Sequence, residues 1–288
     1  MPYHKAVTTT SLASMGRMMS RDAWMTKLKW TAVIAAVFGL VALSALVIQG
    51  QQGCGDQTGA SSCTRVLFIG NSYTYVNDLP AMFAGLARSG GHRVETAMVA
   101  EGGATLADNA ASAAASAAIT SKKWDVVVLQ EQSEIPSVEQ FRQSEMYPAA
   151  RRLADTIYRH GSRPVFFLTW AHRDGWPENG LPDYVSMQSA IDDGYLAIAA
   201  EEQAAVAPVG VAWSTMLNQP HPGLWQDDGS HPTTAGTYLA ACVFYATIFH
   251  QSPRGLAYRA DLSAVDAAML QTIAADTVLS DPRKWGLG

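Results

Sequence analysis

Val66-Leu67-Phe68-Ile69-Gly70-Asn71-Ser72 is an apolar run that stops abruptly on a glycine and two small polar residues. Such a short apolar run, ending at residues suited to a turn, reads as a β-strand. Similar runs recur downstream at Arg93 to Val99, Asp125 to Gln130, Pro164 to Trp170 and Ala205 to Val209, each followed by Gly, Asn, Ser or Pro. Between them, Leu79 to Ser89, Leu106 to Ile119, Glu139 to His160 and Tyr184 to Gln203 carry apolar residues at helical spacing. Strands alternating with helices predict an α/β fold, a three-layer α/β/α sandwich around a five-stranded parallel sheet. The Ala-rich stretch Ala107 to Ala118 reads as helix, since alanine has the highest helix propensity.

In open sheets of this kind, ligands collect at the carboxyl ends of the strands. Polar clusters fall there: Gly70-Asn71-Ser72, Glu101-Gly102-Gly103 and Gln130-Glu131-Gln132-Ser133. A fourth, Asp228-Gly229-Ser230-His231-Pro232, precedes a helix expected over Thr233 to His250, with Pro232 suited to its first turn. Ser72 stands at a strand-to-helix corner, where its hydroxyl can be exposed as a nucleophile, although a serine there is more often a helix cap or turn former. A serine nucleophile needs a base, and the base needs a carboxylate to hold its tautomer, which Asp228-x-x-His231 provides on one turn. Of the seven histidines, His4 precedes an apolar N-terminal run, His92 and His160 fall at the opposite sheet edge, and His250 ends a helix. His172 and His221 lack so compact an acidic partner. For a developing oxyanion, the N–H groups of Ser72, Gly102 and Gly103 and the side-chain amide of Gln130 or Gln132 are the candidate donors. The stretch Thr169 to Trp176 offers Trp170 and His172 as a substrate wall, aromatic residues there suiting either a sugar face or local packing.

Taken in order, these clusters resemble the blocks of the SGNH (GDSL-type) hydrolase superfamily, over roughly Arg65 to Gln251. The first block matches Val66 to Ser72, with Asn71 where many members have Asp; the second matches Glu101 to Leu106, and the last Asp228 to Pro232. The third departs from the usual Gly-x-Asn-Asp and is closer to the Gln-containing block of sialate and carbohydrate acetylesterases. The resemblance implies a flavodoxin-like fold and a serine esterase with Ser72, Asp228 and His231 as its triad. Ser72, Gly103 and Gln130 form the implied oxyanion hole, with Gln132 favoured instead by register, and neither metal nor organic cofactor is required. The implied substrate is a small-molecule or glycan ester, acetyl esters foremost. A membrane-tethered polysaccharide O-acetyltransferase and an inactive carbohydrate-binding protein are the rival readings.

The bulk properties agree with such a substrate. The chain has 288 residues, 48% of them hydrophobic, which suffices for a full core. A net charge of -5 with no basic cluster in the main body excludes a nucleic-acid footprint. Residues 30 to 48, WTAVIAAVFGLVALSALVI, approach the roughly 20 apolar residues of a membrane-spanning helix and follow Arg17, Arg21, Lys27 and Lys29. The expected organisation is a cytoplasmic segment 1–29, a signal peptide or single-pass membrane anchor 30–48, a linker 49–63 and an exported hydrolase domain 64–288. Outside the cytoplasm, Cys54 and Cys63 can close a short disulfide loop, while Cys242 sits in an apolar helical pattern and reads as a small buried residue.

Overall fold

The computed structural model describes Cys54 and residues Cys63–Gly288. The expected segments 1–29 and 30–48, and the linker apart from Cys54 and Cys63, lie outside the described residues. Among the described residues, no helix is long and apolar enough to cross a membrane.

Five strands form one parallel sheet: β1 (Cys63–Gly70), β2 (Arg93–Ala100), β3 (Val126–Leu129), β4 (Arg163–Phe167) and β5 (Ala205–Ala207), in the order β2-β1-β3-β4-β5. Val66 of β1 stands between Thr96 of β2 and Val126 of β3, and Phe68 between Met98 and Val128. Because β1 lies between β2 and β3 and is covered on both faces, Val66 to Ile69 are all buried, in keeping with their uninterrupted apolar run. The chain leaves β1 to one side for β2 and returns to the other side for β3. This reversal of direction is the place where open α/β sheets bind ligands, beyond the strand carboxyl ends.

The sheet is flanked by helices α1 (Leu79–Ser89), α2 (Leu106–Ala111), α3 (Ala113–Thr120), α4 (Tyr147–Arg159), α5 (Tyr184–Glu201), α6 (Val209–Met216), α7 (Thr234–Phe249) and α8 (Ala264–Leu279), giving the expected three-layer sandwich. Helices α1, α7 and α8 pack together, as do α2 and α4. Phe244 of α7 meets Phe68 and Phe167 edge-to-face at 5.4 and 4.9 Å, joining the helical layer to the sheet. Cys242 is fully buried there, and burial pushes its thiol up, away from reactivity.

Several boundaries differ from the sequence expectation. The helix foreseen over Leu106 to Ile119 breaks at Ser112, whose hydroxyl accepts from the Ala115 N–H and starts a new helix. The one foreseen over Glu139 to His160 becomes regular only at Tyr147. Pro148 has no N–H to donate backward, and the preceding Arg142–Met146 turn widens to π geometry. Strand β5 ends before Pro208, which opens α6, a helix the strand reading had overrun at Val209. Cys54 and Cys63 form a disulfide that ties Cys54 to the start of β1, where its N–H also donates to Glu95 at 3.0 Å.

Candidate active site

Strand β1 delivers the chain to the sheet edge at Gly70. A Cβ there would lie 2.3 Å from Gln130 Oε1 and 2.5 Å from Thr74 Oγ1, so only glycine lets these groups close in. Asn71 then caps a single helical turn, Ser72–Tyr75, its Oδ1 accepting from the Tyr73 N–H at 3.1 Å. Ser72 therefore opens a helical turn, where backbone N–H groups lack intrahelical partners.

The Asp228 turn approaches from the other side. Asp228 Oδ1 accepts from the N–H groups of Ser230 and His231, both at 2.9 Å, closing a compact loop around Gly229. Its Oδ2 accepts from His231 Nδ1 at 2.5 Å. With that nitrogen donating, Nε2 is left to accept, and the Ser72 hydroxyl donates to it at 2.9 Å. Partial burial opposes the Asp228 charge, but the Ser230 N–H, the imidazole and the His231 N–H outweigh it and hold the carboxyl down at about 2. The side chains of His231 and Asp228 keep 36% and 48% of their exposure, so a ligand can reach them. Ser72, distant in the sequence from the Asp228–His231 turn, thus meets it in one hydrogen-bonded line.

Beneath this line lies a dry aromatic layer. Tyr73 stacks on Trp170 at 4.5 Å and Trp170 on Trp213 at 4.2 Å, both nearly parallel. The Tyr73 hydroxyl bonds Ser230 Oγ at 2.7 Å, and Trp170 Nε1 donates to the Ser230 carbonyl at 2.9 Å. Trp170 is completely buried. The expectation that it forms a substrate wall is corrected: its indole supports the His231 turn from below. His172 is half-buried at the site's edge, with Nε2 at 3.0 Å from Ser133 Oγ and Nδ1 at 4.0 Å from Glu134. Burial lowers the His172 pKa against the pull of Glu134 and Asp228. The ring is therefore held neutral and offers a polar, uncharged surface.

The glutamines divide. Gln130 is fully buried, and its amide donates to Asn71 Oδ1 at 2.9 Å and to the Glu131 carbonyl at 2.5 Å. Its oxygen accepts from the Asn71 N–H at 2.8 Å and the Thr74 hydroxyl at 3.0 Å. Both side-chain polar atoms of Gln130 are engaged, with Asn71 and Thr74 of the Ser72 turn and with the Glu131 carbonyl, which corrects its expected place as an oxyanion donor. Gln132 is half-buried. Its oxygen is anchored by the Glu134 and Ile135 N–H groups, while its Nε2 makes only long contacts of 3.4 Å to Ser133 and Glu134. That leaves the Gln132 amide nitrogen available. Gly103 sits in the exposed loop after β2 with φ 72, a left-handed conformation that favours glycine. The Asn71 side chain ties this loop to the Ser72 turn by donating to the Ala104 carbonyl at 2.9 Å.

Such an arrangement can carry acyl transfer: a hydroxyl beside an imidazole nitrogen, a carboxylate behind it, and N–H donors nearby. Among the described residues, no group of three His, Cys, Asp or Glu side chains is placed to hold a metal ion. Sequence reasoning left Ser133, Ser230 and Glu131 without a role. All three lie inside the motifs it singled out, but nothing in residue type or spacing distinguishes a buried supporting group from its neighbours.

No protein-family model matches the chain, and no curated protein matches it. Among solved structures, it is similar to one described as an SGNH hydrolase, from Slackia heliotrinireducens. The two share 29% identity at a TM-score of 0.56, over 65% of this chain and 100% of that one. A DUF4886 family protein from Bacteroides uniformis matches in fold at a TM-score of 0.66 and 17% identity, over 76% of this chain and 95% of that one. LAE5, an α/β hydrolase enzyme from the Lake Arreo metagenome, matches in fold at a TM-score of 0.50 and 17% identity, over 65% and 95% respectively.

Proposed function

Because this chain belongs to the SGNH hydrolase superfamily and is a hydrolase of ester bonds, we propose that it is an exported serine esterase acting on small carboxylic esters through Ser72, His231 and Asp228. The observation that carries the reading is the continuous line from Asp228 through His231 to Ser72, with contacts of 2.5 and 2.9 Å. His231 Nε2 takes the hydroxyl proton as Ser72 Oγ attacks the acyl carbon. The oxygen of the tetrahedral intermediate is held by the Ser72 and Gly103 N–H groups and the Gln132 side-chain amide, donors aimed at charge that develops only in the transition state. Collapse expels the alcohol, which receives its proton from His231. Water, deprotonated by the same imidazole, then attacks the acyl-enzyme and releases the acid. Asp228 stays ionised throughout and keeps Nδ1 as the donor.

Acetyl esters of carbohydrates are the substrate class we favour, supported by the likeness of the Gln-containing segment after β3 to that of carbohydrate acetylesterases. Export is supported by the apolar run 30–48 and by the Cys54–Cys63 disulfide, a bond at home in oxidising compartments. The test is hydrolysis of p-nitrophenyl acetate and of acetylated oligosaccharides by the purified chain, with and without Ser72→Ala. Turnover that vanishes with Ser72 upholds the proposal, and turnover indifferent to Ser72 contradicts it. An added glycan acceptor in the same assay separates hydrolysis from acetyl transfer.

A further inference from the structure

Glu131 is the second residue after Leu129, where β3 ends, and is fully buried. One of its oxygens, Oε1, accepts two backbone N–H groups: that of Leu106 at 2.9 Å and that of Gln132 at 2.7 Å. Its own N–H donates to the Tyr195 hydroxyl at 3.1 Å. The other oxygen, Oε2, is buried and has no hydrogen-bond partner among the described residues. A carboxylate with a bare buried oxygen is costly, and a simple helix cap does not need one. Thr105 already caps the helix that Leu106 opens.

What Glu131 joins explains the cost. Leu106 stands three residues after Gly103 in the loop leaving β2, and Gln132 lies in the loop leaving β3. Since β1 separates β2 from β3, no ladder hydrogen bond connects these two loops. Glu131 reaches past the end of β1 and links them through a single atom. We propose that Glu131 is the positioning residue of the oxyanion hole, clasping the Gly103 and Gln132 loops at a fixed spacing through Oε1. This inference rests on the esterase reading for its catalytic consequence, but the clasp itself does not.

The clasp is also sensitive to pH. Burial pushes the Glu131 carboxyl up to about 7, the N–H groups of Gln132 and Leu106 pull against it, and the carboxylates of Glu145 and Asp108 raise it further. Tyr195 faces it from α5 as a neutral hydroxyl. Deprotonation strengthens both N–H contacts, because hydrogen bonds to a charged acceptor are the stronger ones. In stability the sign is opposite: a raised folded pKa gives a contribution present below the unfolded value of 4.5 and lost as pH rises through about 7.

The experiment compares the full chain with Glu131→Gln, which keeps an acceptor oxygen, and Glu131→Leu, which keeps none. Glu131→Leu should lower kcat by about ten- to a hundredfold, part of the loss seen when an oxyanion donor is deleted, with KM within about twofold. Glu131→Gln should restore most of that rate. Hydrogen exchange read by mass spectrometry should speed up together in the peptides containing Leu106 and Gln132 in Glu131→Leu, and not in Glu131→Gln. Melting temperature should fall from pH 5 to 8 in the wild type relative to Glu131→Gln. Loss in KM alone, or exchange unchanged in either peptide, overturns the clasp. Wild-type inactivity with coupled exchange intact would instead overturn the esterase reading and leave the clasp standing.

Discussion

The open edge that carries Ser72, His231 and Asp228 and the dry layer just beneath it, with Tyr73, Trp170, Trp213, Gln130 and Glu131, are built on opposite terms. Above, side chains keep a third to a half of their exposure and are held by a few directed hydrogen bonds. Below, Trp170, Trp213, Gln130 and Glu131 have no exposure at all; the Trp170 indole N–H, the Gln130 amide and Glu131 Oε1 fix the loops above, while Trp213 serves by stacking alone. Damage should therefore register differently: substitutions above should strike rate far more than stability, and substitutions below should strike both.

The largest effect should come from the upper layer. Ser72→Ala should reduce kcat by about 10⁴-fold or more, with the melting temperature unchanged, in a steady-state ester assay paired with calorimetry. Asp228→Asn should cost about 10³- to 10⁴-fold by leaving the wrong His231 tautomer. The carboxyl of Asp228 is held at about 2, below its ordinary 3.8, so its contribution to stability is complete above pH 4 and fades as pH falls through 2. An acid limb of the rate profile near neutrality therefore cannot arise from Asp228.

Trp170→Ala tests the lower layer: urea unfolding should show a loss of about 3 to 5 kcal/mol from the vacated aromatic site, together with a lower kcat. A stable variant with weaker substrate binding would break the comparison and return Trp170 to the substrate wall. The two glutamines sharpen it further. Gln132→Ala should lower kcat about 100-fold at constant stability. Gln130→Ala should instead destabilise the fold by about 1 to 3 kcal/mol, because buried partners at Asn71 and Thr74 lose their bonds. The smallest effect is structural alone: Cys54→Ser should remove about 2 to 3 kcal/mol in chemical unfolding while leaving kcat untouched.

Much of the upper layer was legible in the sequence. Short apolar or β-branched runs announce β1 to β5, and small polar residues after them mark the edge where Ser72 and His231 meet. The lower layer was less so. Gln130 and Gln132 share a residue type and a neighbourhood, and only the closing of Asn71 and Thr74 on Gln130 separates a clip from an available donor. Trp170 follows a strand as a wall residue would, yet the choice between facing a ligand and stacking between Tyr73 and Trp213 depends on residues more than forty positions away. Pro148 falls inside the helix expected from Glu139, and apolar spacing alone does not show that the regular helix starts only at Tyr147, after a π turn. Distant packing leaves no local periodicity, and supporting residues are defined by it.

An activated Ser72 hydroxyl should be open to covalent trapping. The purified chain, treated with a fluorophosphonate and mapped by peptide mass spectrometry, should carry one adduct on Ser72, lost in His231→Ala. A folded protein that takes up no label, or takes it up at another residue, would contradict the account.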